Sequence, residues 1–146
     1  MDSRRLASLP TPRSSKVLLV EDEARIAQFV AKGLGRIGLD VTVAEDGDVG
    51  AFLAATEPFD LVLLDLGLPG TPGLEILRLI RRDRPATPVI LLTAADEPLA
   101  RRAGLAAGAT EYLTKPFVFE DLRALARRLV GLEDAAPSVA GRGGTA

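Results

Sequence analysis

The chain has no cysteine and no histidine. Without cysteine there are no disulfides, no thiol nucleophile and no thiolate ligands for zinc. Without histidine, imidazole acid–base catalysis is excluded as well. Lysine is scarce, with only Lys16, Lys32 and Lys115 in a chain otherwise supplied with arginine. No apolar run approaches the roughly 20 residues that a bilayer-crossing helix needs. Arg4 and Arg5 are not followed by an apolar core, so no secretory signal is read and a cytoplasmic location is expected. A formal net charge of −2 makes no general case for nucleic-acid binding by this chain.

What is present suits one folded domain. Hydrophobic residues make up 47% of the 146 and charged residues 26%, a balance that excludes wholesale disorder. Residues 1–15 are rich in Ser, Arg, Pro and Thr without periodicity, and are expected to be a flexible leader. Residues 132–146, small and polar, are expected to be a flexible tail.

Between them, short apolar runs alternate with helical patterns. Leu61-Val62-Leu63-Leu64 leads into Asp65 and then Gly67, Pro69 and Gly70. An unbroken apolar run bounded by turn signals reads as a strand buried on both faces, at the centre of a parallel sheet. Val17–Val20, Val41–Ala44, Val89–Leu92 and Thr110–Leu113 read as four more strands. Ile26, Phe29, Val30, Leu34 and Ile37 follow helical spacing up to Gly38. A second helix is expected after Asp46, and a third over Leu74–Arg82 with Leu74, Leu77 and Ile80 facing inward. Residues 98–107 predict a weakly anchored helix, and Leu122, Leu125, Ala126 and Leu129 mark the last one. Five strand–helix alternations imply an α/β fold with a single doubly wound five-stranded parallel sheet.

Four of the five strands end in functional groups: Glu21-Asp22, Asp65, Thr93 and Lys115. In an open α/β sheet those carboxyl ends share one rim, where ligands collect. At a separation of about 4 Å, like charges repel by roughly 4 kcal/mol at an effective dielectric of about 20. Three carboxylates in one crevice therefore call for a cation. With neither His nor Cys available, a hard, oxygen-seeking ion such as Mg²⁺ fits best. A carboxylate beside Mg²⁺ is a possible nucleophile toward phosphorus, giving an aspartyl phosphate. In that reading Asp22 holds the metal with help from Glu21. Lys115 neutralises a phosphoryl oxygen, and the Thr93 hydroxyl donates to another.

The segments Val20-Glu21-Asp22-Glu23, Leu63-Leu64-Asp65-Leu66-Gly67-Leu68-Pro69-Gly70, Leu92-Thr93-Ala94 and Tyr112-Leu113-Thr114-Lys115-Pro116-Phe117, in this order, resemble the receiver domain of bacterial two-component response regulators. The resemblance extends over about residues 16–131. It implies a flavodoxin-like (βα)5 receiver with strand order 2-1-3-4-5. It also implies that Asp65 is the phosphoacceptor, that Glu21, Asp22, Asp65 and the backbone carbonyl of Gly67 are the Mg²⁺ ligands, and that Thr93 and Tyr112 form a conformational switch. Lys115 matches the family's lysine. The acidic pair is Glu-Asp, as in many DNA-binding members, whereas Leu125 stands where that subgroup tends to place an arginine.

The function so implied is a phosphoacceptor switch that is not itself a classical enzyme but promotes its own phosphorylation and dephosphorylation. The partner is a sensor histidine kinase or phosphotransfer protein, and phosphorylation-dependent homodimerisation is left open. The output surface is expected on the weakly anchored helix, the fifth strand and the last helix. Of the receiver roles, a stand-alone switch is expected ahead of a receiver fragment of a longer DNA-binding regulator. A binding module that no longer takes phosphate is a further alternative. A P-loop nucleotidase would need a Gly-rich loop ending in Gly-Lys-Ser/Thr after the first strand, where Glu21-Asp22-Glu23 stands. A phosphatase with paired aspartates would need an acid at Gly67.

Overall fold

The apolar runs form five parallel strands in a computed structural model that describes residues 14–94 and 96–132. Of the expected leader, residues 1–13 lie outside the described residues, as does all of the expected tail beyond Leu132. The elements are β1 (Lys16–Val20), α1 (Ala24–Arg36), β2 (Asp40–Ala44), α2 (Gly47–Thr56), β3 (Leu61–Asp65), α3 (Gly73–Asp83), β4 (Val89–Ala94), α4 (Pro98–Ala106), β5 (Glu111–Lys115) and α5 (Phe119–Leu129). All pairings are parallel, in the order β2-β1-β3-β4-β5. The order reverses between β1 and β3, so the crevice at their carboxyl ends is where such a fold binds ligands.

Side chains alternate between the two faces of each strand, and this divides the core. Val17, Leu19, Leu61, Leu63, Ile90 and Leu92 pack under α1 and α5. Leu18, Val20, Val62, Leu64, Val89 and Leu91 pack under α2 and α3. Nearly every one of these is fully buried, which explains why the central strands read as continuous apolar runs.

The elements depart from the expected pattern in three places. Phe29, one of the apolar residues at helical spacing along α1, is 56% exposed. A Cβ on Gly33 would collide with the Phe119 ring, so that ring lies against the backbone of α1, and Phe29 meets its edge at 5.6 Å. Along α3 the buried stripe is Ile76, Leu77 and Ile80, with Leu74 only half-buried. The fifth strand extends to Lys115, which stays in the ladder opposite Ala94, and the peptide bond from Lys115 to Pro116 is cis. The weak anchoring of α4 holds: Gly104 is its one buried residue.

Candidate functional site

Strand register decides which groups meet. Glu21 continues the alternation of Val17 and Leu19, Asp65 that of Leu61 and Leu63, and Lys115 that of Leu113 opposite Leu92. All three therefore point to the α1/α5 side at the carboxyl edge. The Lys115 ammonium lies 3.0 Å from Glu21 Oε1 and 3.1 Å from Asp65 Oδ2. The Gly67 N–H donates to Asp65 Oδ1 at 2.9 Å, and the Glu23 N–H donates to Glu21 Oε2 at 3.1 Å. Both carboxylates are thus held in place, each by a backbone donor two residues ahead.

Glu21 and Asp22 read alike in sequence but are placed differently. Glu21 is fully buried, whereas Asp22 is exposed. Burial pushes the Glu21 carboxyl up to about 7; the Asp65 charge adds to this, while the Glu23 N–H and Lys115 work against it. Burial alone would lower the Lys115 pKa, yet hydrogen bonds and charge from Glu21 and Asp65 raise it above the usual value. The ammonium is therefore firmly charged, and it is Glu21 whose ionised form is incompletely supported. Although Lys115 Nζ is close to Glu21 Oε1, its alignment gives no hydrogen bond, and that buried oxygen has no hydrogen-bonding partner.

One carboxylate oxygen from each of Glu21, Asp22 and Asp65 lies within 4.8 Å of the others. An all-oxygen donor set with an orphaned buried oxygen fits a hard divalent cation.

Thr93 and Tyr112 lie on the other parity. Both share the alternation of Leu91, so they face the α3/α4 side. Thr93 is 1% exposed, and among the described residues its hydroxyl approaches only the Ala94 carbonyl, at 3.4 Å. Tyr112 is 37% exposed. The structure therefore gathers Glu21, Asp22, Asp65, Gly67 and Lys115, and sets Thr93 and Tyr112 beside them on the opposite face.

Two features escaped the sequence reading. Asp48 Oδ1 accepts from the Thr71 N–H at 3.1 Å and from the Thr71 hydroxyl at 2.7 Å, tying the loop after Asp65 to the start of α2. Gly47 makes this approach possible, since a Cβ there would run into the Thr71 carbonyl. The second is Arg101, which lies over the Tyr112 ring. The Gly after Asp46 was a signal for the first; the second joins separate elements and left none.

Fold and site together define a doubly wound α/β domain with an acidic, cation-ready pocket at its topological switch point. The response regulator receiver domain family matches residues 17–127, and the chain belongs to that family. It is 46% identical over 111 residues to the uncharacterized transcriptional regulatory protein YkoG of Bacillus subtilis, covering 76% of this chain and 49% of that protein. It is 41% identical over 115 residues to the transcriptional regulatory protein CusR of Escherichia coli, covering 79% and 51%. Among solved structures, a Francisella response regulator 1452 receiver domain superposes with a TM-score of 0.75 at 36% identity, covering 81% of this chain and 98% of that one. The BeF3-activated DrrB receiver domain gives 0.73 at 37% identity, with the same coverage. The chain spans about half the length of the curated relatives it matches. No helix among the described residues is long and apolar enough to cross a membrane.

Proposed function

We propose that Asp65 accepts a phosphoryl group from a partner histidine kinase, a phosphotransfer protein or a small phosphodonor, and that Thr93 and Tyr112 convert this into a change of surface. The observation that carries the reading is the state of Asp65. It is nearly buried, pinned through Oδ1 by the Gly67 N–H, and paired through Oδ2 with Lys115 beside the orphaned oxygen of Glu21.

The bond changes are those of a displacement at phosphorus. An Asp65 carboxylate oxygen forms a P–O bond as the donor's P–N or P–O bond breaks, and the departing group keeps the electron pair. Phosphoryl transfer is governed by positioning and charge stabilisation. Glu21, Asp22, Asp65 and the Gly67 carbonyl would hold Mg²⁺, which supplies positive charge against the phosphoryl oxygens. Lys115, already charged and turned toward Asp65, moves from carboxylate to phosphoryl oxygen. The Thr93 hydroxyl, with one long contact to lose, is free to donate to another. Opposite the acyl phosphate the same groups also assist attack by water, so the domain promotes both its labelling and its reset.

Incubation with Mg²⁺ and acetyl phosphate, followed by intact-mass measurement, tests this. One base-labile phosphoryl group is expected on the parent chain and none on Asp65→Asn, because an amide is not a comparable nucleophile. Labelling of that variant at the parental level would overturn the assignment.

A second reading, that the chain is the receiver half of a longer DNA-binding regulator, is favoured by relatives named as transcriptional regulators of about twice its span. Sequencing the gene past codon 146 tests it: an in-frame DNA-binding domain supports the reading, and a stop codon refutes it.

A further inference from the structure

Arg101 of α4 places its guanidinium carbon 4.9 Å from the centroid of the Tyr112 ring. Within about 6 Å of an aromatic face, a guanidinium is attracted by the ring's negative quadrupole. Its side chain makes no ion pair or hydrogen bond among the described residues, so the ring is its one partner. Little else fixes either group. Tyr112 is partly exposed on the edge strand β5, and α4 buries only Gly104. The contact joins the helix that follows Thr93 to the aromatic residue that shares Thr93's face of the sheet.

We propose that Arg101 is a positioning residue that latches Tyr112 in its outward orientation and so opposes the signalling state. This rests on the reading of Thr93 and Tyr112 as a switch pair and deepens it. The ring cannot turn toward Thr93 and keep the guanidinium over its face unless α4 follows. Phosphorylation therefore has to break the contact or carry α4 with it, and either way the ring and the helix change together. A partly exposed cation–π contact biases the outward-to-inward ratio by about two- to fivefold. That is enough to lower activity without phosphate and too little to block the switch once phosphate is bound. A planar guanidinium stacks better than an ammonium, so lysine should serve only partly in its place.

The chain has no tryptophan, and Tyr112 is its one tyrosine, so intrinsic emission reports this ring alone. The full chain is titrated with beryllofluoride in the presence of Mg²⁺ while Tyr112 emission is followed. In the parent, emission should change on saturation. Arg101→Gln should reach half-saturation at about two- to fivefold lower beryllofluoride, and its ligand-free emission should already be shifted toward the bound value. Arg101→Lys should fall between, and Arg102→Gln, next along the helix, should match the parent. In a Tyr112→Leu background, Arg101→Gln should leave the rate of labelling by acetyl phosphate unchanged. If the parent responds but Arg101→Gln titrates like it, or needs more ligand, the latch is wrong while the switch reading stands. If saturation leaves the parent's Tyr112 emission unchanged, the switch reading fails and the latch with it.

Discussion

Helices α3 and α4 follow one another in the chain and cover the same side of the sheet, yet they are held in opposite ways. α3 puts Ile76, Leu77 and Ile80 into the core, each burial contributing about 1.5–3 kcal/mol. Arg81 then ties its far end down, donating to the Thr87 carbonyl at 2.6 Å and the Gly108 carbonyl at 2.8 Å. α4 rests on Gly104, where a Cβ would strike the Leu91 side chain, and leaves Leu99 74% and Leu105 43% exposed. The tightly held helix follows the strand that carries Asp65, and the loosely held one follows the strand that carries Thr93. A reacting carboxylate needs a fixed frame, whereas a signal needs an element that moves at small free-energy cost.

The contrast can be broken most forcefully at Leu77. Leu77→Ala should lower stability by about 2–5 kcal/mol, seen as a lower urea midpoint at unchanged slope. A loss under about 1 kcal/mol would mean that α3 is no better anchored than α4.

A smaller effect is expected inside the site. Lys115→Ala removes the cation between Glu21 and Asp65, leaving a buried carboxylate poorly compensated. The metal-free protein should lose about 1–3 kcal/mol, and Mg²⁺ should raise the melting temperature of the variant more than that of the parent. Equal metal-free stabilities would show that the pairing contributes nothing to the fold.

The smallest effect sharpens the comparison from the other side. Leu99→Ser on α4 should change stability by no more than about 0.5 kcal/mol. A loss near that of Leu77→Ala would place α4 in the core and undo the contrast.

Most of the fold was legible because its strands are buried on both faces and so appear as unbroken apolar runs, each closed by a turn. The chemical groups were legible because they stand at the ends of those runs: Asp65 after Leu64, Glu21-Asp22 after Val20, Lys115 before Pro116. Local periodicity could not anticipate the exposure of Phe29, because the Phe119 ring it meets comes from a helix some ninety residues away. For Glu21 the signal was present but unused, since it shares the parity of Val17 and Leu19 and Asp22 does not. On α3 the three-residue steps found Leu77 and Ile80 and the half-buried Leu74 but passed over Ile76, which with Leu77 forms the centre of the buried face. Nothing in the pattern announces Arg101 over Tyr112, since each lies on its own element and neither breaks that element's periodicity.

Hydrogen exchange on the whole chain, with and without beryllofluoride and Mg²⁺, tests most directly the claim that one side of the pocket is fixed and the other reports. Protection should change over residues 96–116, the α4–β5 segment, and stay nearly constant along α3 from 73 to 83. Thr93→Ala should reduce the change in the first segment without creating one in the second. A change concentrated in α3, or in residues 23–56, with α4 and β5 unaltered, would contradict the account.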